Sequence, residues 1–167
     1  PPPAGPNAAA TPLTTVSGPW RVSFTPVQGA PFSREFRQLA DLTSSPDAAV
    51  AAFSGQVIYR TSFDSPPEGT GAELTLDLGQ VHGTAEVRLN GRPLGRRWWG
   101  ERRFALAGVL ITGRNELEVV VGTALFNYVR SLRDNPMARA WTEKAEPGEP
   151  SGLLGPVQIL ATTSPRP

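Results

Sequence analysis

Apolar and polar residues alternate along most of this chain, as they do in strands that bury one face. In the stretch WRVSF, Trp20, Val22 and Phe24 lie on one side, and Arg21 and Ser23 lie on the other. The same alternation recurs in AELTLDL (72–78), AEVRLN (85–90) and NELEVVV (115–121). Two further stretches, QVIYRTSF (56–63) and GPVQILA (155–161), are also predicted strands. The pattern therefore predicts an all-β domain.

Glycine, proline and asparagine separate these short segments, which favours an antiparallel sandwich or barrel. Helix is scarce: PDAAVAAF (46–53) predicts one or two turns, with Ser45 as the N-cap and Pro46 at the first helical position. The stretch 129–150 is polar, lacks periodicity and contains Pro136, Pro147 and Pro150. It is predicted to be a long loop, and long loops within compact domains are often functional.

The length of 167 residues suffices for one domain with a hydrophobic core. Residues 1–14 begin with PPPAGPNAAATP, which is typical of a linker or a disordered arm. The last residues, TTSPRP, have a similar composition. We therefore expect a β-sandwich domain over residues 15–162 and a flexible tail over residues 163–167.

The stretch VRLNGRPLGRRWWGERRF (87–104) predicts a hairpin, because Asn-Gly is the preferred pair for a tight type I′ turn. A two-residue turn there places Val87 opposite Leu94, and residues two apart share one face of a strand. Leu94 and Trp98 then face the core, while Arg97 and Trp99 face outward. We expect Trp98 to be packed and Trp99 to be exposed, whereas a bulge within GRRWWG (95–100) would reverse this.

The residue types that most catalytic centres need are absent or isolated. The lack of cysteine excludes disulfides, thiolate metal sites and a cysteine nucleophile. His82 is the single histidine and is interpreted as an ordinary turn residue, and no HExxH, GxSxG or phosphate-binding glycine motif is present. Glu116 and Glu118 alternate with apolar residues, which indicates a hydrated strand face rather than a catalytic pair. The net charge of +1 favours neither a nucleic-acid nor a membrane partner.

Four stretches, in their order and spacing, resemble a known family: FSGQVIYRTSFD (53–64), LTLDLGQVHGTAEVRLNGRPLG (74–95), GRNELEVVV (113–121) and SGLLGPVQI (151–159). They resemble the sugar-binding, jelly-roll domain of glycoside hydrolase family 2. They are more similar still to the sandwich near the C-terminus of family 106 α-L-rhamnosidase-like proteins. The resemblance spans roughly residues 18–161. It implies an antiparallel, galactose-binding-like jelly-roll β-sandwich of about eight strands.

In these families the sandwich is not catalytic, since the catalytic carboxylates lie on a separate barrel domain. The resemblance therefore implies an accessory or carbohydrate-binding module, with a catalytic glycoside hydrolase domain as a partner. It also implies an extracellular or periplasmic location. Two alternatives stay open: a structural or interdomain sandwich without a sugar site, and a piece of a hydrolase whose catalytic domain is absent from this sequence.

Sugar binding uses an aromatic face against the sugar ring and polar groups around it for the hydroxyls. One loop supplies both kinds of group. Its candidate carbohydrate-binding residues are Trp99, Arg97, Glu101 and Arg103. Asn127 and Tyr128 follow a strand where the resembled family often approaches its cleft, and they complete the candidate carbohydrate site. Trp141, in the predicted long loop, is a further candidate.

Competing interpretations apply to the same residues. Trp99 is equally well interpreted as a contact with a neighbouring domain. The tryptophans and nearby arginines also have the composition of a nucleic-acid patch, but Glu101 interrupts it and the alternation divides the arginines between two faces. An arginine–tryptophan stack that satisfies itself is another interpretation. Calcium is common in sandwiches of this kind; Asp41, Asp47 and Asp64 offer oxygens, but no calcium-loop motif exists, so we assign no metal or cofactor.

Overall fold

The computed structural model describes residues 10–67, 73–143 and 149–162. Within them the chain forms strands that assemble into sheets of four, six and two strands. The strands are β1 (Ala10–Thr15), β2 (Trp20–Pro26), β3 (Phe32–Phe36), β4 (Gly55–Asp64), β5 (Glu73–Asp77), β6 (Gln80–His82), β7 (Thr84–Leu89), β8 (Arg92–Arg97), β9 (Arg103–Ala105), β10 (Arg114–Gly122), β11 (Gly152–Gly155) and β12 (Gln158–Thr162). The helices are α1 (Ala48–Ala51), α2 (Phe126–Ser131) and α3 (Pro136–Thr142).

The architecture is an antiparallel β-sandwich, which confirms the predicted fold class. The four-stranded sheet has the order β1-β12-β5-β9, and the six-stranded sheet has the order β3-β2-β4-β10-β7-β8. Adjacent strands in both sheets run antiparallel. Strands β6 and β11 form the small third sheet.

Alternation along the strands builds one core, because every second side chain points to the same face. The predicted apolar faces of β2, β7 and β10 are all buried. Leu76, Phe104 and Ile159 join the same hydrophobic cluster from the four-stranded sheet. The polar faces of these strands are left to solvent, as expected for antiparallel sheets.

The domain starts earlier than the composition predicts. β1 begins at Ala10, and Ala10 pairs with Thr162 of β12. Residues 10–14 therefore belong to the sandwich rather than to a linker, since the edge of a sheet accepts even this Thr-rich and Pro-containing segment. The rest of the predicted arm, residues 1–9, and the predicted tail, residues 163–167, lie outside the described residues.

The predicted long loop at 129–150 is wrong for most of its described residues, which form the end of α2 and the whole of α3. The Asn135 side chain accepts hydrogen bonds from the main-chain N–H groups of Met137 and Ala138, and Pro136 occupies the first turn. Asn followed by Pro is a helix-start signal that the lack of periodicity concealed. The short helix α1 is confirmed, but Asp47 rather than Ser45 is its N-cap.

Candidate functional site

Several connections leave the six-stranded sheet at one end of the sandwich. β2 and β10 finish there, at Pro26 and Gly122, beside the start of β4. β8 also finishes there, where Arg97 pairs with Ala85 near the start of β7. The turn after β2, the segment from β10 into α2 and the loop from β8 to β9 therefore emerge at the same end. This end carries all six residues of the predicted carbohydrate site.

The loop from β8 to β9, Trp98–Arg102, passes from the edge of one sheet to the edge of the other; we call it the Trp loop. The predicted turn at Asn90 and Gly91 is confirmed, with φ angles of +52° and +76°. After it the register shifts: Val87 lies opposite Gly95, so Leu94 is an extra residue in β8. Such a bulge exchanges the faces of every residue that follows it.

The bulge makes the prediction for Trp98 wrong. Arg97, and not Arg96 as predicted, lies opposite the buried Ala85, and β8 ends at that position. Trp98 is 76% exposed and Trp99 is 80% exposed. The sequence signal for the bulge was Gly95, an isolated glycine within a strand. In the structure its φ angle is +128°. Two adjacent exposed indoles are unusual on a soluble surface and mark the loop as a candidate contact site.

Arg102 holds the Trp loop in shape, a role that the sequence did not reveal. Its guanidinium donates to the carbonyl oxygens of Trp98 at 3.2 Å, Gly100 at 2.9 Å and Gly83 at 3.2 Å. Its Nε is buried and has no acceptor among the described residues. The main chain of Arg102 in turn accepts from the N–H of Leu78 at 3.1 Å. The exposed indoles therefore extend from a loop that is tied to both sheets.

Arg103 and Glu101 form a charged rim beside the indoles. The Nε of Arg103 donates to Asp77 at 2.9 Å, and its Nη1 lies 3.2 Å from Glu101. The hydrogen bond to Asp77 raises the pKa of Arg103 above its usual range, and the Glu101 charge adds to the rise. The Glu101 side chain is 69% exposed, so its carboxylate is free to accept hydrogen bonds from a ligand hydroxyl.

Arg97, the last residue of β8, is exposed and precedes the Trp loop directly. Its guanidinium carbon is 5.3 Å from the ring centre of Phe104, a cation–π contact. The predicted arginine–aromatic stack thus exists, but with Phe104 rather than with a tryptophan. Both indoles therefore keep their faces available for other contacts.

Asn127 and Tyr128 do not join the Trp loop. Asn127 is buried, and its Nδ2 donates to the carbonyl oxygen of Glu149 at 2.8 Å. The Tyr128 hydroxyl bonds the side-chain oxygen of Gln28, in the turn between β2 and β3. That turn and β8 lie at opposite edges of the six-stranded sheet, about 20 Å apart at roughly 4.8 Å per strand. The structure thus divides the predicted site into two groups that one sugar ring cannot bridge.

The helices present a second exposed apolar surface, which the predicted loop concealed. Met137 and Trp141, four residues apart on α3, are 67% and 75% exposed. Residues at this spacing share one face of a helix. Leu125, at the start of α2, is also exposed. We call Met137 and Trp141 the helical apolar face.

The other predicted candidates take structural roles. Asp41 caps a 3₁₀ turn and accepts from the Ser151 N–H, while Asp47 caps α1 and pairs with Arg34. Glu118 forms an ion pair with Arg60 on the outer sheet face. Within the described ranges, no group of three or more His, Cys, Asp or Glu side chains is arranged to hold a metal ion.

The proteins that the chain resembles are glycoside hydrolases. No family model matches the chain. A Formosa agariphila protein named "Putative beta-glucuronidase" is 32% identical over 108 residues, covering 64% of this chain and 9% of that protein. The structure of a rhamnosidase from Novosphingobium sp. PP1Y matches with a TM-score of 0.79 and 30% identity. That match covers 95% of this chain and 16% of the rhamnosidase.

A Faecalibacterium prausnitzii β-glucuronidase shares the fold, with a TM-score of 0.63 at 18% identity, over 95% of this chain and 32% of that chain. The relatives are therefore glycoside hydrolases, and the chain spans only a small part of their length. The predicted resemblance to a β-sandwich of glycoside hydrolases is confirmed. The more specific resemblance to family 2 or family 106 stays a prediction. No helix among the described residues is long and apolar enough to cross a membrane.

Proposed function

We propose that this domain is a non-catalytic, carbohydrate-binding accessory module of a glycoside hydrolase, similar to the sandwiches of families 2 and 106. The observation that carries the proposal is the pair of exposed indoles on a loop fixed by Arg102. Sugar rings bind through their apolar faces to aromatic rings, and charged groups beside the ring bond its hydroxyls. Trp98 and Trp99 supply the aromatic surface, and Glu101 and Arg103 supply the polar rim.

The proposed site differs in three respects from the set predicted from sequence. Trp98 joins Trp99 as a candidate stacking residue because both are exposed. Arg97 is engaged with Phe104 and is no longer a candidate for the polar rim. Asn127 is buried and holds the Glu149 carbonyl oxygen, so it leaves the proposed site, and Tyr128 contributes a second contact only for an oligosaccharide long enough to extend across this end of the sandwich. A module of this kind meets polysaccharide outside the cell, so we propose an extracellular or periplasmic location.

A glycan-array screen, followed by titration of each hit with tryptophan fluorescence, tests the proposal. We expect an emission shift on binding that Trp99→Ala abolishes. Trp141→Ala is the matched control, because Trp141 is an equally exposed indole outside the Trp loop. Unchanged binding by Trp99→Ala would refute the platform. Hydrolysis of aryl glycosides by the isolated domain would refute the non-catalytic role.

The helical apolar face favours a second candidate function, contact with a catalytic glycoside hydrolase domain. In the relatives, the matching segment is 9% and 16% of a much larger protein. Exposed Met and Trp are typical of surfaces that another protein covers. The test uses a polypeptide that joins this domain to a catalytic domain. We expect the parent to unfold in one transition and the double variant Met137→Ser/Trp141→Ser to unfold in two. An unchanged single transition would argue against this contact.

A further inference from the structure

The outer face of the six-stranded sheet carries a groove of about 540 Å³, far from the Trp loop. It lies toward the opposite end of the sandwich, where β2 and β10 begin and the hairpin of β7 and β8 turns. Its described lining contains no aromatic side chain but four arginines: Arg21, Arg60, Arg88 and Arg114. A groove with this composition selects ligands by charge rather than by ring stacking.

Strand register sets five charged residues of this groove in one row. Glu35 of β3 pairs with Arg21 of β2, and Arg21 pairs with Arg60 of β4. Arg60 pairs with Glu118 of β10, and Glu118 pairs with Arg88 of β7. Because residues in register on adjacent strands project from the same face, the five side chains are successive neighbours. The row has three positive and two negative charges.

The two neighbouring arginines of the row, Arg21 and Arg60, repel each other electrostatically. Arg21 and Arg60 are direct cross-strand neighbours, and like charges in that position destabilise a sheet. Glu118 lies 2.8 Å from Arg60 and 4.0 Å from Arg88, so its charge is already shared between two cations. Among the residues that the structure describes, Arg21 makes no ion pair, although Glu35 is its neighbour on the other side. An anion bound between Arg21 and Arg60 would offset the repulsion between their guanidinium groups.

We propose that this groove binds an acidic saccharide, whose carboxylate or sulfate group lies between Arg21 and Arg60. Arginine guanidinium groups bind such planar or tetrahedral anions through paired N–H donors. Glu116 and Ser62 also line the groove and provide acceptors and a hydroxyl for the sugar hydroxyls. The volume suits a ligand of a few sugar rings.

The inference rests on the proposed carbohydrate role but concerns a different surface, so the two can fail separately. Isothermal titration of the domain with an oligogalacturonate is the direct test. The matched neutral ligand is the methyl ester of the same oligosaccharide. A sulfated galactan oligosaccharide without carboxylates shows whether the groove binds a sulfate group as well as a carboxylate. We expect binding of at least one acidic ligand, weakened by salt, and none of the ester.

Arg21→Gln is the critical variant, since it removes the charge while relieving the repulsion from Arg60 and so should fold. We expect at least about a tenfold loss of affinity, as for a lost charge-assisted hydrogen bond. Arg133→Gln, an exposed arginine outside the groove, should bind as the parent does. Trp99→Ala should also leave acidic binding intact. Equal affinity for the acid and its ester, or full binding by Arg21→Gln, would overturn the inference, as would no binding at millimolar ligand.

Discussion

Arg102 reaches back over four residues and donates a hydrogen bond from its guanidinium to the carbonyl oxygen of Trp98. The same group binds Gly100 and Gly83, so one side chain closes the Trp loop and ties it to the start of β7. An exposed indole binds a sugar well only when its position is fixed before the ligand arrives, because ordering a loose loop opposes binding. Arg102 is thus a positioning residue for the proposed platform.

Arg102→Met should loosen the Trp loop while leaving the sandwich folded. The variant keeps an apolar stem but loses three main-chain contacts, and each hydrogen bond from a charged donor contributes about 1.5–3 kcal/mol. We expect amide hydrogen exchange of residues 98–101 to accelerate at least about tenfold, measured by mass spectrometry. Arg96→Met is the control, since Arg96 pairs with Glu86 and does not contact the loop. Equal exchange in the two variants would contradict the positioning role.

Asp41 should make the stability of the domain fall in acid. Burial raises the pKa of Asp41, but the Thr43 hydroxyl and the N–H groups of Ser151 and Thr43 outweigh it and hold the pKa below its ordinary value of 3.8. A lowered pKa stabilises the folded state above that ordinary value, and this stability is lost as pH falls through the folded-state pKa. We therefore expect the free energy of unfolding to decrease as pH falls below about 4.

Asp41→Asn is the variant that isolates this effect, because asparagine keeps a capping oxygen without the charge. It should be less stable than the parent at pH 7 and should lose less stability on acidification. Urea unfolding at pH 7 and at pH values from about 4 downward, where the ordinary carboxyl protonates, measures both quantities. Parallel pH profiles for the two proteins would exclude Asp41 as a source of the acid sensitivity.

Gly152 should tolerate substitution far less well than Gly91, although both have positive φ. Their φ angles are +92° and +76°, so alanine carries a similar backbone cost of roughly 1–2 kcal/mol at either position. A Cβ at Gly152 would lie 2.5 Å from the Tyr59 hydroxyl and 2.8 Å from Leu42, whereas one at Gly91 meets nothing within 4 Å. Overpacking of a core adds about 1–3 kcal/mol.

The expected result is that Gly152→Ala lowers the free energy of unfolding by about 1–3 kcal/mol more than Gly91→Ala, as measured by urea unfolding. The difference between the two variants is the informative quantity because the shared φ cost cancels. A difference near zero would show that Tyr59 and Leu42 move aside without cost. Tyr59 is fully buried and is held by a hydrogen bond from the Leu153 N–H, which argues against easy movement.

The strands were predictable because alternation is a local property that each segment shows by itself. Trp20, Val22 and Phe24 are buried as their spacing indicates, and Asn90-Gly91 forms the expected turn. The site was less predictable because it depends on register between strands. One extra residue, Leu94, reversed the expected faces and exposed Trp98. The row from Glu35 to Arg88 likewise exists only after five distant segments are aligned, so no single stretch contains it.

The pairing of β1 with β12 brings Ala10 beside Thr162, so the first and last described residues of the sandwich are neighbours. A short peptide is enough to join these residues, and a circular permutant opened at the exposed Gly91 should keep the same sandwich. Because Ala10 and Thr162 are neighbours, the described sandwich has the geometry of a unit that recombination can insert into a loop of a longer polypeptide.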